Sequence, residues 1–265
     1  FRSVHCGDAM VSKFKIAITT LLAAGAIASA SDSGVYSFRA QRSFDNGKFA
    51  KGYNQLERAL IASRKEADLL SEGRVLIAMA QIRTMSLDLN FADSLLTVVR
   101  KEVLDNNTMV QFSKAKIALL NARNKFNDAV KACDAIDENI LKKADETAQA
   151  AFYGECAIAQ AATRDSRAQE SLKMAGKRSD KKGGFYAFTA ARMADLSGSS
   201  EADSLYRTAE EKAIKANKPY NTATVLYYRS QLKSTSKKEA ADLKLRCKNA
   251  FELMGLPNNA KRCAE

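Results

Sequence analysis

Apolar residues recur at helical spacing along almost the whole chain beyond residue 30. No segment shows the strict alternation of apolar and polar residues that is typical of a strand. Short turns rich in Gly, Asn, Asp and Ser separate the periodic segments, which predicts about a dozen helices joined in antiparallel order. The predicted breaks are residues 45–47, 88–90, 105–107, 137–139, 179–184, 197–200, 217–219, 234–236 and 255–257.

One apolar face returns at a regular interval along the chain. Its first copy is formed by Phe49, Gly52, Leu56 and Leu60, at positions i, i+3, i+7 and i+11 of one helix. The interval between copies is 34 to 43 residues, and a further helix is predicted before each of them. This period indicates a tandem array of helix pairs. The copies begin at Phe49, Ala92, Phe126, Ala168, Ala202 and Ala240.

The segment GKFAKGYNQLERAL at residues 47–60 resembles the tetratricopeptide repeat in its glycine, aromatic, small and bulky apolar positions. Residues 124–136 are a second, fair match, and the other copies keep only the alternation of small and apolar residues. The resemblance implies a right-handed α-solenoid of five to six antiparallel helix pairs, with a concave groove and a short C-terminal cap at residues 257–265. An irregular helical array remains the alternative for the weaker copies.

The first thirty residues have the pattern of a secretory signal. Lys13 and Lys15 precede an uncharged apolar run at residues 16–28, and Ala28-Ser29-Ala30 is a small-residue cleavage site. The run is about half of the ~20 residues that a membrane span needs, so we expect no integral span after cleavage. The Ala-rich pattern is typical of a bacterial protein that is cut after Ala30 and exported to the periplasm or secreted. Residues 10–30 would be the signal peptide, residues 1–9 upstream sequence, and residues 31–265 the repeat domain.

Four cysteines follow the predicted cleavage site, which allows two disulfides in an exported chain. Cys247 and Cys263 lie at similar distances on either side of a turn near residue 256, so antiparallel helices would bring them level. Cys133 and Cys156 are the second candidate pair, with two buried, reduced cysteines as the alternative. Four cysteines permit three pairings, and the sequence leaves them open.

The chain lacks the residues that most enzyme classes need. It has one His, which lies in the first thirty residues, and no serine-hydrolase elbow, phosphate-binding loop or zinc motif. We therefore expect a protein that is not an enzyme and that needs no cofactor and no metal.

Two sets of residues are candidates for binding a partner. In a tetratricopeptide-like array the first helix of each pair lines the groove, and Tyr and Arg are frequent anchors of protein interfaces. Packing between helices is the alternative for these side chains. The groove candidates are Tyr220, Asn221, Thr224, Tyr228 and Arg192. Further groove candidates nearer the N-terminus are Arg39, Arg42, Arg74 and Arg83.

Basic charge is concentrated in the second half of the chain. Residues 31–150 hold 18 Lys and Arg against 16 Asp and Glu, whereas residues 151–265 hold 21 against 13. This excess predicts either a surface for an anionic partner or a solvated face, and export argues against nucleic acid. The basic patch candidates are Lys177, Arg178, Lys181, Lys182, Lys237 and Lys238.

The sequence as a whole predicts a non-catalytic interaction scaffold or adaptor of the periplasm or cell envelope. Its partner would be another protein or a peptide segment held in the concave groove, and the basic residues would favour an acidic one. The alternative is an envelope factor that binds an anionic polymer or lipid through the basic C-terminal half.

Overall fold

A computed structural model describes residues 31–179 and 184–265. The predicted signal peptide at residues 10–30, the upstream residues 1–9, and Lys181 and Lys182 of the basic patch lie outside these ranges. Within them the chain contains α-helices, one short 3-10 helix and no strand, which confirms the all-α prediction.

Fourteen α-helices are present in the described residues, somewhat more than the dozen predicted. The helices are α1 (Asp32–Asp45), α2 (Phe49–Lys65), α3 (Leu69–Met85), α4 (Leu89–Thr97), α5 (Asn106–Ala122), α6 (Phe126–Asp134), α7 (Glu138–Lys143), α8 (Glu146–Ala162), α9 (Ala168–Arg178), α10 (Gly184–Leu196), α11 (Ala202–Lys215), α12 (Pro219–Ser230), α13 (Lys237–Leu253) and α14 (Pro257–Ala264). The 3-10 helix, Lys101–Val103, lies between α4 and α5.

The helices pack in successive neighbour pairs, which gives a solenoid-like arrangement. The second helices of six pairs are α2, α4, α6, α9, α11 and α13, and each begins within three residues of a predicted copy of the repeated face. Helix α7 is an additional short helix before α8, and α14 follows the last pair. The repeat interval therefore correctly predicted where the second helix of each pair begins.

Eight of the helix connections in the described part of the chain share one turn geometry. In each, a residue with positive φ follows the helix, and two backbone N–H groups donate back to carbonyls of the last turn. Gly47 is one such residue: its N–H donates to Phe44 O, and the next N–H, that of Lys48, donates to Ser43 O. Ala67 and Arg164 hold the same conformation although an L side chain disfavours it. The predicted breaks do not include the turns at Ala67, Asn124 and Arg164, and two of these turns lack the Gly or Asn that usually marks a left-handed position.

The small residues of the repeat allow close helix packing. A methyl group added at Gly52 of α2 would overlap the ring of Phe44 on α1. Likewise, one added at Gly154 of α8 would lie 2.5 Å from the ring of Phe185 on α10. These glycines therefore set the distance between helices.

Both predicted cysteine pairs lie at disulfide distance. Cys133 on α6 faces Cys156 on α8, and Cys247 on α13 faces Cys263 on α14, with a Cα–Cα distance of 5.9 Å in each pair. The second bridge holds the C-terminal helix α14 onto α13, so this helix is packed rather than a purely polar cap.

The first and last pairs of the array contact each other. The turn at Gly47 lies against Met254 and Pro219, and Lys218 Nζ is 2.9 Å from Asp45 Oδ1. At the end of α3, the carbonyl of Met85 accepts a hydrogen bond of 2.9 Å from Asn259 Nδ2 on α14. One apolar core accordingly includes residues of α1–α5 and of α12–α14. We call this contact between the two ends of the array the joint; it is formed by Asp45, Gly47, Met85, Lys218, Pro219, Met254 and Asn259.

Candidate functional site

An arginine–tyrosine cluster lies where α10, α12 and α14 approach one another. Arg192 of α10 places its guanidinium carbon 3.8 Å from the centre of the Tyr228 ring on α12. Arg262 of α14 lies 4.0 Å from the ring of Tyr227, also on α12. The rings of Tyr227 and Tyr228 are partly exposed, so the cluster reaches the protein surface. Its members are Arg192, Asp195, Tyr206, Tyr227, Tyr228 and Arg262.

The local sequence explains the position of these tyrosines. Pro219 is the first residue of α12, a position where its fixed φ and missing N–H suit the helix. Helical spacing then puts Asn221, Thr224 and Tyr228 on one face at i, i+3 and i+7. Tyr220 and Tyr227 lie on the adjacent face at the same spacing.

Arg192 is fixed inside the cluster by two partners. Its Nη1 donates to Asp195 Oδ2 at 2.5 Å and to the Tyr206 hydroxyl at 3.2 Å, and that hydroxyl donates to Asp195 Oδ2 at 3.0 Å. Burial opposes the charge of Arg192, but Tyr228, Tyr206 and Asp195 outweigh it, so the pKa of Arg192 is raised. Burial raises the pKa of Tyr206, which is fully buried and stays a neutral donor. The guanidinium thus presents a fixed positive charge beside the Tyr228 ring.

Arg262 differs from Arg192 in its partners. Among the residues that the structure describes, Arg262 makes no salt bridge, and its Nε is buried without a hydrogen-bond partner. An unpaired buried donor has a free-energy cost of ~1–3 kcal/mol. The geometry therefore leaves Arg262 able to bind an additional acceptor.

The structure separates the five groove candidates of the C-terminal half. Arg192 and Tyr228 are in contact. Tyr220 instead lies in the joint, with its ring centre 5.4 Å from that of Phe49 and its hydroxyl donating to Met85 O at 2.9 Å. Thr224 Oγ1 donates to the carbonyl of Tyr220 within α12, and Asn221 is partly exposed. Burial raises the pKa of Tyr220, in keeping with a packing position.

The predicted basic patch falls on two separate helices. Lys177 is exposed near the end of α9, whereas Arg178 donates to Gln149 Oε1 at 2.5 Å and lies 5.2 Å from the Tyr153 ring centre. Lys237 and Lys238 are exposed in the first turn of α13. Arg178 is therefore engaged inside the protein, while the three lysines face solvent.

An ion network holds α11, α12 and α13 together. Arg229 on α12 has a side chain that is 4% exposed, and it pairs with Glu210 at 2.6 Å, Glu239 at 2.9 Å and Asp203 at 3.2 Å. Arg246 on α13 pairs with the same Glu210 at 3.1 Å. These two arginines of the C-terminal half are thus neutralised by carboxylates.

A basic pocket lies between α1 and α2, where the sequence named Arg39 and Arg42 as groove candidates but predicted no pocket. This pocket has a volume of about 480 Å³. The only sequence signal is local: residues 39–55 hold four cationic residues and one acidic residue, Asp45. The net charge of residues 31–150 is close to zero, so the count over this half did not reveal the local excess of cations at residues 39–55. The pocket is lined by Arg39, Arg42, Ser43, Asn46, Lys48, Lys51 and Gln55.

In the described ranges, no group of three or more His, Cys, Asp or Glu side chains could hold a metal ion. The same ranges contain no helix whose length and apolar character would let it cross a membrane.

Comparison of the chain with protein-family models and with curated proteins found no match.

Proposed function

We propose that the protein is an exported, non-catalytic interaction scaffold built from tetratricopeptide-like helix pairs. The repeated face supports the family assignment: Phe49, Gly52 and Leu56 of the best-matching segment are buried, and Leu60 is partly buried against the same core. Two cysteine pairs at disulfide distance support an oxidising compartment such as the periplasm.

The arginine–tyrosine cluster is the observation that carries the binding proposal. Two guanidinium groups lie over neighbouring, partly exposed tyrosine rings, and this combination is typical of the anchor residues of protein interfaces. Arg192 is already held in place by Asp195 and Tyr206, so a partner has little ordering cost to overcome at this side chain. A protein segment is thus the occupant that this surface fits best.

Arg262 favours an acidic partner segment. Its side chain is partly exposed and forms no salt bridge in the described part of the chain, whereas Arg192 is already paired with Asp195. A carboxylate of the partner would pair with the accessible part of this guanidinium in a charge-assisted bond. The partner would be a protein with an Asp or Glu beside an apolar residue that packs on Tyr227 and Tyr228.

A binding experiment with residues 31–265 as bait tests this proposal. The bait would be incubated with an envelope extract and washed at low and at high salt. We expect a discrete protein to survive the high-salt wash, and Tyr228→Ala or Arg262→Glu to reduce its recovery at least about tenfold. Arg58→Glu, on an exposed position of α2, is the matched control and should leave recovery unchanged. Equal recovery with all three variants would contradict the proposal.

The second candidate function rests on the exposed lysines. Lys177, Lys237 and Lys238 face solvent, and an anionic envelope polymer or lipid could bind them. Recovery of polymer or lipid alone, lost at high salt and on Lys237→Glu with Lys238→Glu, would favour this function over the scaffold.

A further inference from the structure

The basic pocket collects positive charge from two helices onto one cavity. Arg39 and Arg42 are three residues apart on α1, and Lys48 and Lys51 are three residues apart at the start of α2. The tight turn at Gly47 brings these two helical faces together. Four cationic side chains therefore line a cavity of about 480 Å³, which is within the ~300–1,000 Å³ range of small-molecule sites.

No residue in the ranges 31–179 and 184–265 neutralises these four charges. No carboxylate lines the pocket, and none of the four cations forms a salt bridge with a residue that the structure describes. The nearest acidic residue in the sequence, Asp45, pairs instead with Lys218 at 2.9 Å across the joint. Like charges around one cavity repel each other, so a bound anion would lower the free energy of this region.

The remaining lining groups are compatible with an anion. Ser43 and Asn46 use their polar hydrogens within α1, on the carbonyls of Arg39 and Arg42. Gln55 also lines the pocket, and the NH₂ group of its amide is a donor that suits an anionic ligand. The pocket offers donors and positive charge without a competing acidic group.

We infer that this pocket binds clustered phosphate groups, with Arg39, Arg42, Lys48 and Lys51 as the ligating residues. Guanidinium groups bind phosphate oxygens in pairs, and lysines add point charges. Carboxylates on one face of an extended peptide lie about 6.6 Å apart, two residues at ~3.3 Å each, so a peptide brings few of them into one cavity. An oligophosphate carries a negative charge on every phosphate group and matches four adjacent cations better. The site is separate from the arginine–tyrosine cluster and does not depend on the function proposed for it.

Titration with inorganic tripolyphosphate tests this inference. Residues 31–265 would be titrated by calorimetry at low salt as the unchanged chain, as Arg42→Glu with Lys51→Glu, and as Arg58→Glu with Lys65→Glu. The last variant has the same charge change on exposed positions of α2 outside the pocket, and neither residue forms a salt bridge in the described ranges. We expect the pocket variant to lose at least about tenfold in affinity and the control variant to lose less than about threefold.

Three results would overturn the inference. One is the absence of binding to both phosphate probes, tripolyphosphate and phosphatidylglycerol vesicles, by the unchanged chain. Another is an equal loss in the two variants, which would show a general response to net charge. The third is an oligoglutamate peptide that binds the pocket more tightly than tripolyphosphate. Phosphatidylglycerol vesicles, assayed by sedimentation, distinguish the source: vesicle binding that is lost only in the pocket variant identifies a lipid phosphate, and tripolyphosphate binding alone identifies a soluble one.

Discussion

The basic pocket and the ion network use arginine in opposite ways. In the ion network, Arg229 is buried and paired with three carboxylates, and Arg246 shares one of them. In the basic pocket, Arg39 and Arg42 are exposed and no carboxylate lines the cavity. Arg229 and Arg246 are thus paired inside the half of the chain that has the larger excess of basic residues, while the half that is almost neutral by count has a concentrated positive site. Available charge depends on pairing in the fold and not on the number of basic residues.

The largest effect should come from removing the centre of the ion network. Arg229→Met leaves Glu210, which is largely buried, without its closest cation. We expect the free energy of unfolding to fall by about 3–5 kcal/mol. Arg42→Met, in the basic pocket, should change it by less than about 0.5 kcal/mol because that side chain is exposed and forms no salt bridge in the described residues. Denaturant unfolding measures both values, and similar losses in the two variants would remove the distinction between the regions.

An intermediate effect should come from the turn that shapes the basic pocket. Gly47→Ala puts an L side chain at a φ of 69°, and the added methyl would lie 3.1 Å from both Met254 and Pro219. We expect a loss of about 1–3 kcal/mol and weaker tripolyphosphate binding, since the pocket and the joint share this turn.

Ala67→Gly provides the matched comparison for this turn. Ala67 is an exposed residue with a φ of 52° in the next connection, so glycine should relieve strain there and raise stability by about 1 kcal/mol. Thermal unfolding monitored by circular dichroism gives both changes. Changes of the same sign at the two positions would contradict the assignment of left-handed strain.

The smallest effect concerns acid stability. Burial alone would raise the pKa of Asp203, but hydrogen bonds and charge from Arg207 and Arg229 lower it below its ordinary value. The resulting stabilisation is therefore complete above the unfolded pKa of ~3.9 and is lost as the pH falls through the folded value. Asp203→Asn should remove about 1 kcal/mol or less at pH 6 and should make the loss of stability below pH ~4 shallower. Arg42→Met should leave the pH dependence of the free energy of unfolding unchanged, because Arg42 forms no salt bridge with a carboxylate in the described residues.

The sequence predicted the helices and the phase of the repeat because each helix pair buries one apolar face at a fixed spacing. The pairing of Cys247 with Cys263 followed from the same reasoning, since antiparallel helices bring residues on either side of a turn level. The pairing of Cys133 with Cys156 was only a candidate, because these residues are not symmetric about a single turn and α7 lies between their helices. The turns at Ala67 and Arg164 could not be predicted in this way, because their geometry depends on backbone hydrogen bonds and not on a favourable residue.

Contacts between helices far apart in the chain could not be predicted from the sequence for a different reason. A periodic pattern specifies which face of a helix is buried, but it contains no information on how far an array of pairs curves. The contact of Tyr220 with Phe49 and Met85 spans most of the chain, so a residue that was predicted for the groove lies in the joint. The basic pocket was missed because its four cations were counted with the carboxylates of the whole N-terminal half.

Site-specific photo-cross-linking tests the central claim, that a partner protein binds beside the arginine–tyrosine cluster, most directly. A photoreactive amino acid would replace Asn221, which is partly exposed on the same face of α12 as Tyr228, and in a separate chain Arg58, which is exposed on α2. The account predicts one discrete cross-linked protein from the position of Asn221 at low and at high salt, and none from the position of Arg58. The same products from both positions, or none from Asn221 at either salt concentration, would contradict it.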